Sequence, residues 1–214
     1  WIMDRSEEIG LRSSFFFISG RTDAKRDAHY DISHPPVRKL IRHISQRGHQ
    51  IGLHPSYQTF ATPSLIVKEA LHLRKVCAEE GVSQSIWGGR MHVLRWQHPT
   101  TAYGWEDANF DYDSTLMYAD QPGFRAGTCY PYRMYDPQLH KQLNLIQRPL
   151  IAMDCSVTDD RYLGLGYGNE ASSFLLKLKR ACFNVSGQFS LLWHNSNLTL
   201  PRERDLYRYI LNSS

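Results

Sequence analysis

At 214 residues, with 42% apolar and 21% charged side chains, the chain has the composition of an ordinary globular protein able to bury a core within a single domain. No apolar run approaches the roughly 20 residues of a membrane-spanning helix, and no secretory leader is read at the front. The formal charge of +4 is mild. Its clearest basic cluster, Arg38, Lys39, Arg42, His43 and Arg47, reads as a solvated helix face, so no nucleic-acid partner is expected.

Trp1 is followed closely by Asp4, Glu7 and Glu8, which reads as the interior of a helix running to Gly10 and places the natural N-terminus upstream. Phe15 to Ile18 is a continuous apolar run suited to a buried strand. Gly20 to His34 is polar and reads as a solvated loop. Pro35 and Pro36 open a helix over Val37 to Arg47, and Gly48 stops it before the short apolar strand Ile51-Gly52-Leu53 runs into His54. A stronger helix is predicted from Pro63 to Glu80, with Leu65, Ile66, Ala70, Leu73 and Cys77 as its buried stripe.

Gln84 to Trp87 is the next predicted strand, running into Gly88-Gly89-Arg90. The loop after it carries His92, Arg95, Trp96 and His98, before a short helix near Trp105 to Asn109 and a strand start over Phe110 to Leu116. Gly123 to Asp136 reads as irregular sheet and loop, Pro149 to Met153 as an apolar strand, and Leu163 to Gly168 as a loop without phosphate-cradling spacing. A helix over Asn169 to Val185, a strand over Gln188 to Trp193 and a helix over Arg202 to Leu211 complete the chain. The alternation of strands and helices argues for a mainly parallel α/β sheet or barrel. Cys77, Cys129, Cys155 and Cys182 lie far apart without a CxxC pair, so free, buried thiols in a reducing, cytoplasmic compartment are expected.

Three strands run directly into polar residues, at His54, at Arg90 and at His194-Asn195-Ser196. The C-terminal edge of a parallel sheet is where ligands and catalytic groups gather, so the three are expected at one cleft. Tyr57, Trp87, Trp96 and Trp193 are the aromatic residues near these strand ends.

Gly48-His49-Gln50-Ile51-Gly52-Leu53-His54 resembles the second motif of the polysaccharide deacetylases, carbohydrate esterases related to chitin and peptidoglycan deacetylases. Gly89-Arg90 resembles their arginine motif, Phe110 to Leu116 the stretch after it, and Leu191 to His194 their final Leu-x-His motif. The resemblance implies a distorted, incomplete (β/α) barrel acting on a glycan, with an aspartate and two histidines holding a divalent metal, commonly zinc, for hydrolysis of an N-acetyl group. It makes His54 a metal ligand, Arg90 the group that orients a catalytic aspartate and His194 the general acid, with Trp193, Tyr57 and Asp113 toward the substrate.

Two positions depart from the pattern. The second histidine of the metal motif falls at Gln58, a poor zinc ligand, and the family's paired aspartates would lie before Trp1. Residues 1–214 alone are therefore not expected to release acetate. One alternative is a glycan-binding or scaffolding domain without catalysis. Another is a different hydrolase pairing His194 with Asp111 or Asp113. The sequence leaves the sugar and the oligomeric state open.

Overall fold

The computed structural model describes residues 1–213, which fall into two compact units. One comprises Leu11–Thr115 and Tyr132–Gln147; the other comprises Trp1–Gly10, Leu116–Pro131 and the chain from Arg148 onward. The fold is mixed α/β with a mostly parallel sheet, as the alternation of elements predicts.

In chain order the helices are α1 (Ile2–Glu8), α2 (Pro35–Gln46), α3 (Pro63–Glu79), α4 (Thr100–Asp107), α5 (Asp154–Thr158), α6 (Asn169–Asn184) and α7 (Pro201–Asn212). The strands are β1 (Ser14–Phe17), β2 (Gln50–Leu53), β3 (Gly88–Gly89), β4 (Tyr112–Asp113), β5 (Tyr132–Asp136), β6 (Lys141–Gln147), β7 (Ala152–Met153) and β8 (Leu191–Leu192). The first unit is built on a six-stranded sheet in the order β1-β2-β3-β4-β6-β5, parallel throughout except for the β5–β6 hairpin. The second unit holds the parallel pair β7–β8.

Local chemistry accounts for the ends of α2. Pro35 and Pro36 occupy its first turn, where a missing N–H costs nothing, and Ile41 and Ile44 are buried. Gly48, at φ +76°, donates to the Ser45 carbonyl at 2.8 Å while His49 donates to Ile44 at 3.2 Å. This paired closure turns the chain straight into β2, and it needs the left-handed residue that glycine supplies. Arg38 and Arg42, read as part of a solvated face, instead pair with Glu79 and Glu80 at the end of α3.

The strand predicted over Gln84 to Trp87 is displaced. Backbone pairing occurs at Gly88 and Gly89, while the Gln84 side-chain amide takes the hydrogen bonds of Ile51, accepting from its N–H at 3.1 Å and donating to its carbonyl at 2.7 Å. A Cβ on Gly88 would sit 2.0 Å from the Tyr112 ring, so the close approach of β3 and β4 requires glycine there. α4 starts at Thr100 rather than near Trp105, and it buries Trp105 completely against Phe110. β5 lies in the stretch Gly123 to Asp136 read as irregular, and β6 follows where no strand was predicted; Leu143, Leu145 and Gln147 face inward at every second position of β6. In the second unit, Val157, Ala171, Leu175, Leu206 and Ile210 form the core under β7 and β8.

Candidate functional site

The parallel register of the first unit decides which polar residues become neighbours. Leu53 pairs with Gly89, and Gly89 pairs with Asp113. One residue past those positions stand His54, Arg90 and Ser114, side by side along the C-terminal edge of the sheet. His54 Nδ1 lies 2.6 Å from the Arg90 carbonyl, which can only accept, so Nδ1 carries the proton of the neutral ring. His92 Nε2 lies 2.8 Å from the Arg26 carbonyl and by the same argument donates. The two remaining nitrogens, His54 Nε2 and His92 Nδ1, face one another at 3.0 Å, with the rings nearly perpendicular.

The loops around this pair are firmly held. Asp27, almost fully buried, accepts the backbone N–H groups of Thr22, Asp23 and Tyr57, each at 2.7 Å. Burial pushes its carboxyl up, but those amides and the Thr22 hydroxyl outweigh it and hold the group below the usual range. The loop that offers the Arg26 carbonyl is thereby tied to the loop after His54. Tyr57 lies beside the Arg26 and Arg95 guanidiniums, 4.5 and 4.1 Å from its ring centre, with His92 edge-on at 6.4 Å. Arg95 also donates to the Tyr57 carbonyl and to Gln58 Oε1, so the Gln58 side chain is engaged with Arg95. Directly after His92, Val93 and Leu94 both have positive φ, 55° and 52°, a conformation costly for a β-branched residue.

Arg90 is buried, and its guanidinium donates to the Ser114 carbonyl at 2.6 Å and to the Ser114 hydroxyl at 2.9 Å, with Phe16 under it at 5.1 Å. Burial lowers its pKa to about 10, opposed by the Asp113 charge. Asp113 is fully buried, and burial pushes its carboxyl up to about 6 against the hydrogen bonds of Thr115 and the charge of Arg90. Its oxygens accept from the Thr115 N–H and hydroxyl. Asp113 has no surface to offer a sugar, unlike the substrate contact expected; its carboxylate is held by Thr115.

The second unit holds a different constellation. Met153 of β7 pairs with Leu192 of β8, so Asp154 and the turn at His194 follow at adjacent strand ends. Asp154 is fully buried; it accepts from the His194 backbone N–H at 2.9 Å, the His194 ring Nδ1 at 2.7 Å and Asn197 Nδ2 at 2.9 Å. The Asp154 carboxylate, and after it Cys155, raise the His194 pKa to about 10. The ring is thus an imidazolium at neutral pH. Its partner is Asp154, not the Asp111 or Asp113 proposed from sequence; Asp111 accepts instead from the Trp87 backbone.

Asp154, Cys155 and His194 each bring a ligand atom within 4.8 Å of the others, a donor set able to hold a metal. An ion there would replace the hydrogen bond between His194 Nδ1 and Asp154 Oδ1, while the two bonds to Oδ2 could stay; without an ion the pair is an acid–carboxylate dyad. A cavity of about 410 Å³ adjoins it, lined in part by Cys155, Asp159, Asp160, Tyr167, Asn197 and Arg202.

No family profile and no curated protein matches the chain. Among solved structures, it is similar to the crystal structure of a putative polysaccharide deacetylase from Mycobacterium smegmatis. The match has a TM-score of 0.68 and 18% identity, and covers 98% of this chain and 68% of that one. At that identity the likeness shows a shared fold.

Of the residues singled out in the sequence, His54 and Arg90 meet through the Arg90 carbonyl in the first unit, and Tyr57 stands beside His92 there. His194 and Trp193 belong to the second unit. Trp193 donates Nε1–H to the Asn197 carbonyl at 2.9 Å and packs edge-on against Tyr207, so its ring is part of the core as well as the strand end. Trp87 is likewise packed, against Phe110 and Arg74. Two residues escaped the sequence reading. His92 stood in a loop among other polar residues, and Asp154 closed an apolar run just as His54 does. That shared pattern, a polar residue directly after a buried strand, is the signal that could have found Asp154. All four cysteines are free; Cys77, Cys129 and Cys182 are buried and Cys155 is half-buried.

Proposed function

We propose that this chain is a polysaccharide deacetylase-like domain whose full-length protein hydrolyses N-acetyl groups on a glycan with the help of a divalent metal, zinc being the natural candidate. The observation that carries the reading is the likeness in fold to a putative polysaccharide deacetylase over almost the whole chain. On this reading the sheet is the body of a distorted, incomplete (β/α) barrel, and both units serve one domain. Bound zinc would polarise the acetyl carbonyl and lower the pKa of a coordinated water.

The roles of the chain's own residues follow from their surroundings. His54, fixed through its Nδ1–H on the Arg90 carbonyl, turns Nε2 toward His92 and could present its lone pair to an ion. Arg90 keeps a positive charge at the C-terminal edge of the sheet, where it would orient a catalytic carboxylate. His194, held protonated by Asp154, is set to give its proton to a departing amine, and Asp154 positions it by engaging both the ring and the backbone. Tyr57 and Trp193 are the aromatic candidates for contact with the sugar.

Gln58, engaged with Arg95, favours a second reading: a glycan-binding domain that no longer catalyses. Acetate release from N-acetylated chito-oligosaccharides by the full-length protein separates the two. The deacetylase reading expects release that stops on chelation, returns with zinc, and falls about 10²–10⁴-fold in His194→Ala. Hydrolysis that survives chelation would overturn it, and glycan binding without any acetate release by the zinc-loaded protein would establish the second reading.

A further inference from the structure

We propose that His54 and His92 are the imidazole pair of a divalent-cation site within the first unit, with His92 providing the second imidazole that position 58 does not. The idea rests on the deacetylase reading for what the ion would do to a substrate, and on geometry alone for the binding of the ion.

Four observations carry it. Each ring is anchored by its outer nitrogen on a backbone carbonyl, His54 on Arg90 at 2.6 Å and His92 on Arg26 at 2.8 Å. That is how metal-binding histidines are commonly held, because the outer hydrogen bond fixes the tautomer and the ring orientation. Second, both outer nitrogens must donate, so in the neutral rings neither inner nitrogen carries a proton, and the two face each other at 3.0 Å. Two lone pairs so placed repel unless a shared proton or a metal ion lies between them. Two nitrogens on a tetrahedral zinc with bonds of about 2.0–2.1 Å stand roughly 3.3 Å apart, so a small opening of the pair accommodates the ion.

Third, the backbone just past His92 is held in the left-handed region at two successive non-glycine residues, with Val93 at φ 55°. Such strain persists only where the surroundings over-determine it, and it is commonest at functional sites. Fourth, the carbonyl on which His92 rests is itself built into the structure, because Asp27 gathers the N–H groups of Thr22, Asp23 and Tyr57 around that loop. Gln58, at the position the family gives to a histidine, is meanwhile bound to Arg95. Two imidazoles fill two positions of the shell, and water, a substrate oxygen or a carboxylate can take the others. The ligand type suits zinc, cobalt, nickel or copper rather than magnesium or calcium.

Equilibrium dialysis of the full chain against Zn²⁺ and Co²⁺, with the variants His54→Gln, His92→Gln and His194→Gln, tests the assignment. Wild type is expected to take up one ion; His54→Gln and His92→Gln should each weaken binding by at least about tenfold, and His194→Gln should bind as wild type does. Wild-type affinity in His92→Gln, or loss in His194→Gln instead, would overturn the proposal and move the ion to Asp154, Cys155 and His194. Nitrogen-15 spectra of wild-type protein remove any dependence on how the variants fold. Zinc should shift His54 Nε2 and His92 Nδ1 while both outer nitrogens keep their protons. Rings that zinc leaves unmoved, sharing one proton instead, would refute the site. Zinc held by the pair in a full-length protein that releases no acetate would sink the deacetylase reading alone; metal-dependent release by that protein with both rings unmoved would sink only the pair.

Discussion

Replacing Asp154 with Asn tests the dyad of the second unit directly. The carboxylate is fully buried and accepts three hydrogen bonds, two from His194 and one from Asn197. Hydrogen bonds to a charged acceptor contribute about 1.5–3 kcal/mol each, but an amide retains part of them, so the loss at neutral pH should be about 2–4 kcal/mol. A pH-dependent part is superimposed. His194 rises from an ordinary 6.5 to about 10 in the folded protein. A histidine raised in this way stabilises the fold fully below the unfolded value, and its contribution fades as pH climbs through the folded one. The ceiling is roughly 5 kcal/mol at 1.36 kcal/mol per pKa unit. The His194 side chain is 46% exposed, however, and solvent screening cuts that to about 1–2 kcal/mol. Urea unfolding of wild type and Asp154→Asn at pH 6 and pH 10.5 should therefore show a gap that narrows by this amount at the higher pH, since other titrating groups cancel in the difference. The His194 ring, assigned with His194→Gln, should titrate near pH 10 in wild type and fall back toward 6.5 in the variant. A native His194 that titrates near 6.5, or a gap that ignores pH, would refute the reasoning.

Arg90→Met should cost about 2–4 kcal/mol in urea unfolding, because it leaves the Ser114 carbonyl and hydroxyl without their donor and takes a favourable charge from the neighbourhood of Asp113. Asp113 sits at about 6 in the fold, above its ordinary 3.8, so its contribution falls as pH rises through that range. Without Arg90 the folded value climbs further, and the Arg90→Met deficit should be larger at pH 7.5 than at pH 4.5. Gly88→Ala drives a methyl into the Tyr112 ring, 2.0 Å away, and should lower stability by about 1–3 kcal/mol. Val93→Asn should raise it by about 1 kcal/mol, since the side chain is exposed and asparagine tolerates the left-handed backbone better. Asp27→Asn should cost about 1–3 kcal/mol and, by loosening the loop that carries the Arg26 carbonyl, weaken zinc uptake in dialysis as well.

Much of this fold was legible in particular residues. Gly48 announced the turn from α2 into β2, and the apolar runs that end at His54, Arg90 and His194 marked the sheet edges. What escaped has identifiable physics. The strand expected over Gln84 to Trp87 dissolved because a side-chain amide can satisfy a neighbouring strand as well as backbone does, and no periodicity records that. The β5–β6 hairpin was hidden by Arg133, Tyr135, Lys141, Gln142 and Asn144 on its outer face, although Leu143 and Leu145 keep the period of two. Asp113 was assigned to a substrate by position along the chain, yet it is fully buried and its carboxylate accepts from the Thr115 N–H and hydroxyl.

His92 was the hardest residue to see, for a reason that bears on the site itself. A parallel sheet makes neighbours of residues far apart in sequence: His54 meets the Arg90 carbonyl across 36 positions, and Arg90 meets Ser114 across 24. A motif written along the chain records a ligand only if it lies on the same loop as its partner, as a histidine at position 58 would. When that position is Gln58, the linear pattern reports a broken site. The register brings another imidazole to the place: the loop after β3 leaves the sheet beside the loop after β2, and its third residue is a histidine within 3.0 Å of His54. A second imidazole can thus come from the adjacent strand end without any change to the strands. Loss of the motif histidine is therefore no argument by itself against metal chemistry on this sheet, and zinc binding in His92→Gln, rather than the identity of residue 58, is the measurement that decides it.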